Sequence, residues 1–142
     1  MEPLDADVLP VGALLLLVES APIIYPLEAR SPLAERYSRL FERHAKGELE
    51  LAVTTVTLAE VLCGPLKAGE EALAARYRKV LESWQLVELD ADIAESAARM
   101  RGIYGLKLPD AIQLASALAI NADALVTHDR DFSRVRGLPV LT

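Results

Sequence analysis

The chain has 142 residues, with 15 Lys and Arg against 21 Asp and Glu, a net charge of −6 and a pI near 4.9. A single domain of this length hides about two-thirds of its unfolded surface and needs no metal or disulfide staple to fold; the lone Cys63 rules out an internal bridge and points to a reducing compartment. The acidic balance speaks against a broad nucleic-acid-binding face, unless several acids gather on a divalent metal.

The apolar mass is Leu, Ala, Val and Ile, with only 5% aromatic residues, which suits helices layered on a sheet. The run "VGALLLLV", Val11 to Val18, looks like the apolar core of a signal peptide. Its leader "MEPLDAD" is acidic where a signal needs positive charge, and the run is far too short to span a bilayer. It reads as a central strand of a cytoplasmic protein with no membrane segment.

"SPLAERYSRLFERHAKG" then carries helix punctuation: Ser31 as cap, Pro32 at the first helical position and Gly47 past the last turn. Leu33, Tyr37, Leu40 and Phe41 fall on one stripe, expected to form part of an exposed apolar patch for self-association. Leu49 to Thr55 reads as a second strand, leading through Thr57 into the helix "LAEVLCG", where Cys63 is expected to be a buried, inert thiol. A longer amphipathic helix follows from Glu70 to Ser83, with Arg76, Arg78 and Lys79 on its outer side, and "QLVELD" is a brief third strand.

Asp92 with Glu95 reads as a capping box for the helix "IAESAARMRGIYG". Pro109 opens a further helix, "DAIQLASALAINA", whose small and apolar faces mark it as mostly buried. "ALVT" is the fourth strand and "LPVL" a fifth. Strands alternating with helices at this spacing predict an α/β fold, three layers with a central, mostly parallel sheet of four or five strands. The whole chain, 1–142, reads as one domain, with 1–12 as an N-terminal extension.

Four carboxylates stand in apolar contexts where they are costly. Glu19 ends the first strand, Glu60 lies inside "VTLAEVLCG", Asp110 is in the first turn of a nearly all-apolar helix, and Asp129 follows "ALVT". Each has an ordinary structural reading: Asp110 as a first-turn anion, Glu60 facing water, Asp129 capping the next turn. Jointly, two stand at carboxyl ends of parallel strands and two on helices that follow strand or loop punctuation, so one end of the sheet can collect all four. Such a group repels itself and raises its own pKa values unless a cation neutralises it, and oxygen-only ligation suits Mg²⁺ or Mn²⁺. A metal so held activates water and offsets charge on a phosphodiester. In "VTHDRDF", Thr127 offers a hydroxyl to a carboxylate or phosphate, and Asp131 is either an outer member of the cluster or a loop-stabilising acid. His128 is not expected to ligate, because hard Mg²⁺ prefers oxygen.

These stretches resemble the PIN-domain nucleases, most closely the small VapC-type toxins of bacterial and archaeal toxin–antitoxin modules. "LKLPDAIQLASALAINADALVTHDRDF" is similar to the family's Asp-led helix and the strand ending in Thr-x-Asp-x-Asp-Phe, and "TTVTLAEVLCG" to the segment with its helical Glu. The resemblance runs from about Leu14 to Leu141 and puts Glu60, Asp110, Asp129 and Thr127 at family positions. In "LLLVESAPIIYPLE", Glu19 stands where the family has Asp, Ser20 follows it, and Pro22 and Pro26 are unusual. The resemblance implies a metal-dependent ribonuclease using Glu19, Glu60, Asp110 and Asp129 on Mg²⁺ or Mn²⁺. Ser20, Thr127 and Asp131 would support them, with RNA as substrate, a cognate antitoxin as partner and a homodimer as assembly. Lys107, Arg101 and Arg130 are candidates to steer RNA, against the ordinary reading of solvated helix ends and loops for Lys107 and Arg101. The rival within the family is an impaired PIN-like domain that has lost efficient cleavage at Glu19 and acts by binding RNA or protein. Outside it, "DRD" has the look of a phosphatase Asp-x-Asp motif, but it falls within the last fourteen residues with no strand-end Lys after it.

Overall fold

The computed structural model describes residues 1–12, 14–29 and 31–142. Five strands, β1 (Leu15–Val18), β2 (Glu50–Thr54), β3 (Gln85–Val87), β4 (Ala124–Val126) and β5 (Val140–Leu141), form one sheet in the order β3-β2-β1-β4-β5. Every pairing is parallel, so the sheet is wholly rather than mostly parallel. Register is pinned early: the Asp123 carboxylate accepts from the Leu15 amide at 2.7 Å, and the Asp123 amide donates back to the Leu15 carbonyl.

The helices are α1 (Ser20–Glu28), α2 (Leu33–Ala45), α3 (Thr55–Lys67), α4 (Glu71–Glu82), α5 (Ala91–Tyr104) and α6 (Leu108–Ala119). Alternate residues of each strand point to opposite faces, and two cores result. Leu16, Val18, Leu51 and Val53 pack with Ile23, Tyr37, Leu40, Val61 and Leu81 of α1 to α4. Leu17, Ala52 and Leu125 pack with Ile93, Ala97, Leu114 and Ala115 of α5 and α6. The three layers are therefore α1–α4, sheet, and α5–α6. The first residues join this body, with the Glu2 amide bonded to the Val140 carbonyl, the Leu4 amide to the Thr142 carbonyl, and Leu4 and Ala6 buried.

Several expectations are corrected in detail. The first strand begins at Leu15, with Val11 and Gly12 in a bend; Ala13, inside the expected run, lies outside the described residues. The second strand stops at Thr54 because its hydroxyl accepts from the Thr57 amide and starts α3 at once, and α3 runs on through Pro65 to Lys67. The third strand ends at Val87, and the cap of α5 is Asp90, whose carboxylate accepts from the Ile93 amide, not Asp92. Helix α6 ends at Ala119 instead of Ala122. Cys63 is exposed, on the outer side of α3. The stripe on α2 faces inward, with Tyr37 and Leu40 fully buried and Phe41 edge-on to Trp84 at 5.1 Å, so it forms no exposed patch.

Helix α1 was not expected at all. Pro22 sits in its first turn, where a missing N–H has no intrahelical partner to lose. Pro26 lies inside it, and α1 closes one turn later on the left-handed Ala29, φ 53°. Burial of Ile23 against the sheet offsets that weak local signal.

Candidate metal centre

The chain turns from β1 to β2 and β3 on one side and returns to β4 and β5 on the other, so β1 and β4 flank the switch point where open parallel sheets collect ligands. Glu19 is the first residue after β1 and Asp129 the third after β4. The Glu19 amide donates to the Val126 carbonyl at 2.9 Å and locks the two strand ends together. Glu19 also precedes the first turn of α1 but makes no side-chain cap there, which leaves its carboxylate for the cleft.

Thr127, fully buried, ties both ends together: its hydroxyl donates to Glu19 Oε2 and accepts from the Asp129 amide at 3.0 Å. Among the described residues, Glu19 Oε1 is buried with no hydrogen-bond partner. Glu19, Ser20, Glu60, Asp110 and Gln113 line a small cleft of about 50 Å³. On its other side, one carboxylate oxygen each from Asp110, Asp129 and Asp131 lie within 4.8 Å of one another. Asp110 belongs to both groups, so the four expected acids and Asp131 form one continuous cluster.

The ordinary readings also hold in part. Asp129 caps the 3₁₀ turn Arg130–Arg134 by accepting from the Asp131 amide at 2.9 Å, and Asp110 lies in the first turn of α6. Each also offers one carboxylate oxygen to the cluster. Asp131 is exposed at the rim and its carboxylate belongs to the cluster.

Burial pushes the Glu19 carboxyl up to about 8; the Thr127 hydrogen bond opposes this, and Asp110, Asp129 and Glu60 add to it. Burial raises Asp110 to about 6, reinforced by Asp129 and Asp131 and opposed by Lys107. Glu60 is raised by burial, with Ser20 acting the other way. A buried carboxylate oxygen without a partner is costly, and so is a crowd of like charges; a divalent cation removes both costs. The donor set is all oxygen and fits hard Mg²⁺ or Mn²⁺. His128 is exposed and engaged elsewhere: Nδ1 lies 3.3 Å from the Tyr37 hydroxyl and the ring stands edge-on to Tyr25.

A buried amide missed in the sequence holds the cleft's floor. Gln113 Nε2 donates to Thr57 Oγ1 at 3.0 Å and Thr54 Oγ1 at 3.1 Å. Gln113 lies one turn after Asp110 on α6 and Thr57 one turn before Glu60 on α3, so this clasp sets the spacing between the two acids. The available signal was a Gln on the otherwise apolar α6. Of the expected cations, Lys107 and Arg130 line a groove next to Asp131, together with Arg134, which sequence reasoning passed over; Arg101 lies in the last turn of α5, away from that lining.

A wholly parallel three-layer sheet with an acid cluster at the carboxyl ends of its central strands defines a class of α/β domain built to hold a cation. The PIN domain family model matches residues 16–138, and the chain belongs to that family. A toxin–antitoxin complex from Klebsiella pneumoniae has a similar structure, with a TM-score of 0.73 at 28% identity over 89% of this chain and 96% of that one. VapBC2 from Rickettsia felis, bound to a DNA fragment from its promoter, gives 0.72 at 20% identity, covering 89% and 97%. VapC20 from Mycobacterium tuberculosis, a Sarcin-Ricin loop cleaving toxin, gives 0.68 at 17%, covering 86% and 99%. The last two are likenesses of fold. No curated protein sequence matches the chain. Among the described residues, no helix is long and apolar enough to cross a membrane.

Proposed function

We propose that the protein is a divalent-metal-dependent endoribonuclease, the toxin of a toxin–antitoxin pair, formed by one PIN domain and acting in the cytoplasm as a homodimer restrained by a cognate antitoxin. The observation that carries the reading is the convergence of Glu19, Glu60 and Asp110 on one cleft, with Asp129 and Asp131 gathered on Asp110 beside it and a buried Glu19 oxygen unpartnered among the described residues. The structural likeness to toxin–antitoxin proteins, one of them named a Sarcin-Ricin loop cleaving toxin, supports it.

Glu19, Asp110 and Asp129 would hold Mg²⁺ or Mn²⁺, with Asp131 at the outer edge. The cation supplies Lewis acidity, easing deprotonation of water and offsetting charge on the phosphate. Thr127 keeps the Glu19 carboxylate turned into the cleft, and Ser20 steadies Glu60. Glu60, at the cleft's mouth, accepts a proton as the water oxygen bonds to phosphorus. An ester P–O bond breaks in the same displacement, and the departing oxygen leaves with the bonding electron pair as an oxyanion that takes its proton from solvent water. The Gln113 clasp fixes the turns of α3 and α6 that carry Glu60 and Asp110 relative to each other.

One observation favours a second reading, an impaired PIN-like domain that binds RNA or protein: Glu19 stands where the family resemblance expects Asp, and its carboxyl, raised to about 8, is protonated at neutral pH when no cation is bound. Purified protein incubated with a mixed RNA pool and increasing Mg²⁺ or Mn²⁺ separates the two. Metal-dependent cleavage, abolished by chelator, is expected. Folded protein that binds RNA and leaves it intact in both metals would overturn the nuclease reading in favour of the second.

A further inference from the structure

Next to the acid cluster lies a groove of about 340 Å³ whose walls reverse the sign of the molecule. Lys107, Arg130 and Arg134 line it, with the ring of Tyr104 on the same wall. Lys107 directly precedes α6, and Arg130 and Arg134 stand at the two ends of the 3₁₀ turn after β4, so three charges from two elements face one space. Among the described residues none of the three has a carboxylate within 4.0 Å, so their charges are not neutralised in place. In a chain of net charge −6, unpaired cations gathered on one groove create a local field that attracts anions. The Tyr104 hydroxyl donates to the Arg136 carbonyl at 3.3 Å, which tethers its ring. Asp131 belongs to both the groove and the acid cluster, so the two sites share a wall.

We infer that this groove is a nucleotide subsite for single-stranded RNA adjoining the scissile position: Arg134, Lys107 and Arg130 hold a backbone phosphate and Tyr104 stacks a base. Cations that track a backbone beside an aromatic ring are the combination by which single strands are held without regard to sequence. The inference rests on the ribonuclease reading and names how that site takes its substrate. Arg134 is a positioning residue, since it touches the strand and not the reacting atoms. Without it the strand is held less firmly over the cluster, so KM rises more than kcat falls.

The test uses the full-length protein and a labelled single-stranded RNA of mixed sequence. Binding is followed by fluorescence anisotropy with chelator present, over a series of salt concentrations. Arg134→Ala is expected to weaken binding about fivefold or more and to flatten the slope of log K against log salt by roughly 0.7, the value for one phosphate contact on a single strand. Arg134→Lys keeps the slope, Tyr104→Leu weakens binding with the slope unchanged, and Lys79→Ala on the far helix α4 changes neither. Should Arg134→Ala fail to fold, Lys107→Ala carries the same expectation. Unaltered affinity and slope in these variants, or a parent that binds no RNA, would overturn the inference. A parent that cleaves RNA with KM untouched by Arg134→Ala would remove the groove and leave the nuclease. Groove-dependent binding by a parent that never cleaves would remove the nuclease and leave the groove.

Discussion

The two walls of the acidic cleft are built differently. On the inner wall, Glu19 follows directly from the central strand, nine-tenths buried, with one oxygen held by Thr127 and the other unpartnered. On the outer wall, Asp129 and Asp131 ride on a 3₁₀ turn, with Asp131 exposed to water. Carboxylates in water lose little when their neighbours change, whereas a desolvated one is held charged only by what it binds. The inner wall therefore sets affinity and pH dependence, and the outer wall adjusts them.

The largest expected effect is at Glu19. Glu19→Ala should lower RNA cleavage by at least ~100-fold in Mg²⁺ or Mn²⁺, since losing a ligand exceeds the 10–100-fold typical of losing a group behind one. Glu19→Asp should cleave faster than the parent in Mg²⁺, whose octahedral demands the extra methylene of Glu disturbs, with a smaller gain in Mn²⁺. Rates for Glu19→Ala equal to the parent's would erase the distinction between the walls.

Next comes the clasp beneath them. Gln113→Leu removes the amide donor shared by the buried Thr54 and Thr57 hydroxyls, which keep their bond to each other, and should cost about 0.5–1.5 kcal/mol in chemical denaturation, with cleavage falling as Glu60 and Asp110 lose their fixed spacing. A stability loss with full activity would show that the clasp supports the fold and not the site.

The pH dependence sharpens the comparison further. Folding raises Glu19 from 4.5 to about 8, so the folded protein holds a proton the unfolded chain releases. That contribution is complete below about pH 4.5 and is lost as pH climbs through 8; Asp110, raised to about 6, acts in the same direction over a narrower window. Metal-free protein should thus melt at a lower temperature at pH 8 than at pH 5.5, and Glu19→Gln should flatten the difference. A melting temperature that rises across this interval in the parent and is unaffected by Glu19→Gln would contradict the burial assigned to this carboxylate.

The smallest effect belongs to the rim. Asp131→Asn should reduce cleavage less than tenfold, because its carboxylate is exposed and its amide still caps onto Asp129. A loss as large as that of Glu19→Ala would mean that the outer wall governs the site.

The alternation of apolar strands with capped helices was enough to place Glu19 and Asp129 at strand ends and to expect three layers, because a parallel strand buried on both faces writes itself as an unbroken apolar run. Helix α1 was invisible, since Pro22 and Pro26 mask a segment held by the burial of Ile23 against the sheet. The stripe of Leu33, Tyr37, Leu40 and Phe41 was legible as a stripe, but periodicity does not say whether a face meets the core or a partner; here it meets Trp84 and the sheet. Gln113 and Arg134 were missed for a related reason. Their importance comes from residues brought near from elsewhere in the chain, 56 positions away for Gln113 and Thr57, and no local pattern records such a meeting.

On this reading the acids of both walls share one divalent cation through Asp110. Titrating Mn²⁺ into the parent and into Asp110→Asn, with binding read by calorimetry and folding by circular dichroism, tests it most directly. Saturable Mn²⁺ binding by the parent is expected, weakened at least ~100-fold in Asp110→Asn because a charged ligand is lost, and the metal-free variant should be as stable as the parent or more so because a like charge has been removed. Equal Mn²⁺ affinity in a fully folded Asp110→Asn, or no saturable binding by the parent, would contradict it.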